Sequence, residues 1–279
     1  MENSDYLKNL NENQLEAVKT IDGPVMVFAG AGTGKTRTLI SRIVYMIKEC
    51  NIQPYHILAI TFTKKATNEM RERLEKQIES KAKFVHISTI HSLCANILRR
   101  NATYLDYGRN FEVIDEEDQV KILNEIYKKS EINRRVLSPK VAIKAIGDFK
   151  NKSCLELVGL LKTVYNEYQT FLKENNMMDF EDLLVLTYQL FKENPNILEY
   201  YQDEFKYILV DELQDTNVVQ YDIINLLCQK YENIFAVGDD DQSIYSFRGA
   251  KIENMMKFKE DHPKAKIIKL VENYRSTNM

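Results

Sequence analysis

With 279 residues, 44% of them hydrophobic and 28% charged, the chain has the make-up of an ordinary soluble globular protein, enough for one large domain or two modest ones. A formal net charge of −3 excludes bulk attraction to nucleic acid, so a nucleic-acid partner would have to be met by a local groove. Cys50, Cys94, Cys154 and Cys228 lie far apart with no C-x-x-C pair, and no apolar run nears the roughly 20 residues of a membrane span, which predicts reduced thiols, a cytoplasmic setting and no membrane partner.

The first short apolar run, 24–28, leads into Ala29-Gly30-Ala31-Gly32-Thr33-Gly34-Lys35-Thr36 and then into a helical pattern over 36–48. A strand, a glycine-rich turn and a helix N-terminus in that order form the setting of a phosphate-binding loop. Glycines let backbone N–H groups turn toward phosphates, Lys35 reaches the β- and γ-phosphates, and the Thr36 hydroxyl ligates Mg²⁺. The usual pattern opens with Gly, and Ala29 holds that place as a small residue that fits.

Further short runs at 57–62 and 84–87, with a helical pattern at 66–78 between them, continue a β-α-β-α alternation. Runs this short and this uniformly apolar suit parallel strands covered on both faces. From 104 to 194 the rhythm stops. Helix-period segments such as 119–129 and 155–172 appear there with no convincing strand, so a helical insertion is predicted, with Asp179 as an N-cap ahead of Phe180-Glu181-Asp182. Asn151-Lys152-Ser153-Cys154 approaches the Asn-Lys-x-Asp guanine reader but ends in Cys, which disfavours GTP.

The alternation resumes with a run at 207–210 that ends in Asp211-Glu212-Leu213-Gln214-Asp215. Carboxylates at the carboxyl end of a buried strand stand where α/β sheets place their chemistry. Asp211 is expected to hold Mg²⁺ and Glu212 to orient and deprotonate an attacking water, a division that hydrolysis needs and simple nucleotide binding does not. The next run, 234–237, leads into Gly238-Asp239-Asp240-Asp241-Gln242 and then Tyr245, Phe247 and Arg248. Gln242 is suited to sensing the γ-phosphate, and the two aromatics with Arg248 to stacking on and clamping bases. A last run lies at 267–270.

With these motifs in order, the whole chain resembles the superfamily 1A DNA helicases, the UvrD/PcrA/Rep family, and specifically their N-terminal portion. The resemblance implies an α/β fold built on a RecA-like P-loop NTPase parallel sheet with an inserted helical subdomain. Residues 1–103 would be the first part of ATPase domain 1A, 104–194 the inserted domain 1B and 195–279 the second part of 1A. Leu10-Asn11-Glu12-Asn13-Gln14 is similar to the family's Q motif, so Gln14 would read the adenine edge, with Arg37 near the nucleotide. Thr61-Phe62-Thr63-Lys64-Lys65-Ala66 and Ser88-Thr89-Ile90-His91-Ser92 resemble its two single-strand-binding motifs: Phe62 would stack a base, and Thr61, Thr63 and His91 would touch the backbone.

Where the family usually has Trp, this chain has Phe247, which offers less stacking area. Val271-Glu272-Asn273-Tyr274-Arg275-Ser276-Thr277 resembles the family's motif IV, so Tyr274 would stack on adenine and Arg275 contact the γ-phosphate. The resemblance implies ATP and Mg²⁺ as cofactors, single-stranded and duplex DNA as partners, and a second RecA-like domain of the same protein beyond these residues to close the nucleotide cleft. The implied activity is an ATP-dependent 3′→5′ DNA helicase or translocase. The motor of a helicase-nuclease and a non-motor ATP-switched DNA-binding module remain alternatives at this point.

Overall fold

The computed structural model describes residues 6–30, 32–154, 156–239 and 253–270. Ala31, Gln242, Tyr245, Phe247, Arg248, Tyr274 and Arg275 of the expected site lie outside them. The chain divides into two compact units: Met1–Ile90 with Asn196–Thr216 and Ile224–Met279, and His91–Pro195 with Asn217–Ile223.

The strands are β1 Val25–Ala29, β2 Ile57–Thr61, β3 His86–Thr89, β4 Glu112–Val113, β5 Met177–Met178, β6 Tyr207–Val210, β7 Ile234–Gly238 and β8 Lys266–Leu270. Among the described residues β3-β2-β6-β7-β1-β8 form one sheet, in that order and parallel at every pairing. Every residue of β1, β2 and β7 is buried, as strands covered on both faces require. The apolar alternation in the sequence thus marks the six strands of this sheet to within two residues at each end.

Because all six strands run one way, their carboxyl ends share one edge. Ala29, Thr61, Val210 and Gly238 each deliver the next few residues to that edge. β7 lies between β1 and β6, so two strand spacings, roughly 10 Å, separate the segments that follow β1 and β6.

Helices of the first unit include α1 Glu12–Lys19, α2 Lys35–Lys48 and α3 Lys64–Ile78. Asn11 caps α1 in a reciprocal box: its side chain accepts from the Gln14 backbone N–H at 2.8 Å, and the Gln14 side chain accepts from the Asn11 N–H at 3.0 Å. At the other end of α1, buried Arg42 of α2 donates to the carbonyls of Ala17, Thr20 and Ile21. Its guanidinium also lies 4.2 Å from the centre of the Phe235 ring. Burial lowers the Arg42 pKa to about 9, which still leaves the cation charged at neutral pH to cap those carbonyls. α1 is thereby fastened at both ends, with Gln14 held against the phosphate loop.

The second unit is built from α4 Ile90–Asn101 after its first residue, α5 Glu116–Lys129, α6 Pro139–Lys150, α7 Gly159–Glu174 and α8 Phe180–Glu193. α9 Pro195–Glu204 follows, and α10 Val218–Cys228 and α11 Glu253–Asp261 flank β7 in the chain. Ile122, Leu123 and Ile126 of α5, Ala142 and Ile146 of α6, and Val164, Tyr168 and Leu172 of α7 form one apolar core. Asp115 caps α5 and three acidic residues fill its first turn, while Lys128 and Lys129 close its last, matching the helix dipole at both ends. The expectation of a strand-free insertion is corrected in one detail. β4 and β5 pair in parallel over two residues each, too short a run to carry a period in sequence.

Asp179 caps α8 as expected, in a reciprocal box with Asp182. All four cysteines are free thiols. Among the described residues, no helix is long and apolar enough to cross a membrane.

Candidate functional site

A cavity of about 760 Å³ opens at the carboxyl edge of the sheet. Gly32, Gly34, Lys35, Thr36 and Arg37 form one wall, Asp211, Glu212, Asp215 and Asp239 a second, and Phe62, Thr63, Ala66 and Arg73 a third. The predicted phosphate loop and the predicted acidic pair, far apart in sequence, therefore face each other across one space.

The loop's shape depends on backbone that only glycine adopts freely. Gly34 has φ +85°, and a Cβ there would stand 2.7 Å from Nε2 of Gln14. The missing side chain lets Gln14 donate to the Thr33 carbonyl at 2.9 Å, while the Thr33 hydroxyl donates to the Gly30 carbonyl at 2.8 Å. Gln14 is buried, its amide divided between the α1 cap and the phosphate loop. α2 begins at Lys35, so its first free N–H groups and its positive dipole end face the loop.

Opposite, Asp211 continues the ladder, donating its N–H to the Ile60 carbonyl at 2.9 Å. Glu212 then takes a left-handed conformation, φ +54°, and starts the 3₁₀ turn Leu213–Asp215. Lys35 Nζ meets the Glu212 carboxylate at 2.8 and 3.0 Å and lies 3.8 Å from Asp239. Burial, and then the Glu212 charge, push the Asp211 carboxyl up to about 6. Its Oδ1 is buried and has no hydrogen-bond partner among the described residues.

A polar oxygen buried without a partner is costly unless something else satisfies it. Magnesium fits this donor set. Asp211 and Thr36 line the same cavity, and among the described residues no group of three or more His, Cys, Asp or Glu is placed to hold a metal by itself. One carboxylate, one hydroxyl and the oxygens of a phosphate ligand are the donors a hard, small cation accepts.

Some residues matter here that the sequence left without a role. Arg73 is one: it stands seven residues past Ala66 on α3, two turns along the same face, which brings its charge to the third wall. Helical spacing from the Phe62 segment was the available signal. Asp239 and Gln214 are others. Gln214 is buried, donates to Glu212 Oε2 at 2.7 Å and accepts from the Asp239 N–H at 3.3 Å.

Of the residues expected on single-stranded DNA, Phe62 is 56% exposed at the cavity's rim. Thr61 is buried, with its hydroxyl 2.6 Å from that of Thr67, and Thr63 caps α3 by accepting from the Ala66 N–H at 3.1 Å. The two threonine hydroxyls thus shape the turn that presents Phe62. In the second unit, His91 meets the half-exposed Phe180 ring edge-on, with centroids 5.8 Å apart. Burial lowers the His91 pKa below its ordinary value, favouring the neutral ring.

Residues 10–263 match the model of the UvrD/REP helicase N-terminal domain. The chain is also 44% identical over 281 residues to a Staphylococcus aureus protein described as ATP-dependent DNA helicase PcrA, and 45% identical over 281 residues to one of the same description from Staphylococcus epidermidis. Each match covers 97% of this chain and 38% of the relative. The chain therefore spans well under half the length of the curated relatives it matches.

Proposed function

The chain belongs to the UvrD/REP helicase N-terminal domain family and carries its RecA-like parallel sheet, and from that premise we propose that it is the ATP- and single-strand-binding front portion of an ATP-dependent DNA helicase. The observation that carries the reading is Lys35 held within 3.0 Å of Glu212, in the same cavity as the partnerless oxygen of Asp211. In this reading the first compact unit corresponds to domain 1A and the helical unit, His91–Pro195 with Asn217–Ile223, to domain 1B.

Lys35 moves its ammonium from Glu212 to the β- and γ-phosphates of ATP when the nucleotide enters, while the loop N–H groups and the α2 N-terminus hold the remaining phosphate charge. Thr36 and Asp211 are the residues that would hold magnesium, which when bound polarises the phosphate oxygens. Glu212, released from Lys35, orients a water in line with the γ-phosphate and takes its proton. Gln242 and Arg275 are proposed to sense and stabilise the γ-phosphate, and Gln14, Arg37 and Tyr274 to recognise adenine. Phe62, with Thr61, Thr63, His91, Tyr245, Phe247 and Arg248, is proposed to grip single-stranded DNA. A second RecA-like domain of the full-length protein closes the cleft, and cycles of closure give 3′→5′ movement.

In the full-length protein, Lys35→Ala is expected to abolish ATP binding, and Glu212→Gln to keep binding while losing hydrolysis and ATP-dependent unwinding of 3′-tailed duplexes. Equal loss of binding in both variants would overturn the division of roles. Unwinding from 5′ tails alone would overturn the direction.

A further inference from the structure

Among the described residues Glu212 has two side-chain donors, Lys35 Nζ and Gln214 Nε2, and they differ in what a nucleotide does to them. Lys35 forms part of the cavity wall and is the group a phosphate would draw away. Gln214 lies behind Glu212, only 3% exposed and outside the cavity lining, so a bound nucleotide has no access to it.

The local fold is shaped around this contact. The left-handed turn at Glu212 sends its side chain to the cavity and buries Leu213 and Gln214. β7 ends in Gly238, where a Cβ would lie 2.8 Å from Met255 Cε and 3.2 Å from Gln214 Oε1, so the bare backbone leaves room for both side chains. An amide suits the place because it donates at one end, to Glu212, and accepts at the other, from the Asp239 N–H. A carboxylate would offer only acceptors to a carboxylate, and an apolar chain would offer neither group.

We propose that Gln214 is the positioning residue for Glu212, keeping the carboxylate aimed at the attacking water after Lys35 has transferred to the phosphates. The inference rests on the hydrolytic reading of the site. Glu212 sits in a conformation that L-residues seldom adopt, and losing the Gln214 donor would free the carboxylate to rotate away from the γ-phosphate.

The test is steady-state hydrolysis by the full-length protein with saturating single-stranded DNA, alongside equilibrium binding of a fluorescent ATP analogue. Gln214→Met and the isosteric Gln214→Glu should each lower kcat by roughly 10- to 100-fold while leaving analogue affinity within about 3-fold. In a Glu212→Gln background, adding Gln214→Met should change the residual rate by less than about 2-fold, because a residue acting through Glu212 has nothing left to position.

Unaltered kcat in both single variants, parallel loss of affinity and kcat, or a multiplicative further loss in the double variant would each overturn the proposal. The two levels separate cleanly. A fully active Glu212→Gln protein fells the hydrolytic reading and this inference with it, whereas an inactive Glu212→Gln beside a fully active Gln214→Met fells only the role of Gln214.

Discussion

In the phosphate-loop unit Lys35 lies between Glu212 and Asp239, and in the helical unit Lys150 lies between Asp179 and Asp182. The helical cluster is closed. Lys150 meets Asp179 Oδ2 at 2.6 Å and Asp182 Oδ1 at 2.8 Å, Tyr168 donates to Asp179 Oδ2 at 3.1 Å, and the α8 capping box occupies the remaining two oxygens. Its three charged side chains are at most 3% exposed.

The phosphate-loop cluster is open: Lys35 and Glu212 are 15% and 30% exposed onto a cavity, and an oxygen of Asp211 is left over. Residue types alone do not separate a structural ion cluster from a reactive one. Completeness of the hydrogen bonding does, because a fully satisfied cluster has no valence left for a ligand.

The largest expected effect is a contrast between the lysines. Lys150→Met strands two buried carboxylates and should cost about 3–5 kcal/mol of stability in urea unfolding. Lys35→Met leaves Glu212 able to take up water from the cavity and should cost about 1 kcal/mol or less. Equal costs would dissolve the distinction between closed and open.

Next comes a change of opposite sign. The Asp211 carboxyl is pushed up to about 6 from an ordinary 3.8, so its ionised form opposes folding. Asp211→Asn should therefore raise stability at pH 8 in metal-free buffer by on the order of 1 kcal/mol, a gain that fades as pH falls through 6 toward 3.8. A thermal melt across that range that shows destabilisation at pH 8 would refute it.

The smallest effect is a titration. Burial raises Asp182 to about 6 despite Lys150, with Asp179 adding to the rise. A raised value means that this group's contribution is full below 3.8 and is lost as pH rises through about 6. Carboxyl NMR should find the Asp182 midpoint near 6 in the folded protein, and in Lys150→Met the midpoint should move higher still. A midpoint near 4 would mean that the helical core admits water.

The sequence by itself determined what depends on local order: six short apolar runs as parallel strands, the loop around Gly34 and Lys35 between a strand and a helix, the Asp179 cap, and the acidic pair at a strand's end. Each follows from a short uniformly apolar run, from a helical period of about three and a half residues or from the chemistry of adjacent side chains, and needs no knowledge of distant contacts. Only the tertiary structure decided that β7 enters between β1 and β6, which sets the gap that the Lys35 side chain bridges to reach Glu212. It also decided that Arg73 joins the cavity, that Gln14 and Gln214 spend their amides on the phosphate loop and on Glu212, and that Asp182 is sealed while Asp211 is not. Strand order and burial arise from packing between segments as far apart as Val25 and Lys266, and a one-dimensional pattern carries no record of which of them become neighbours.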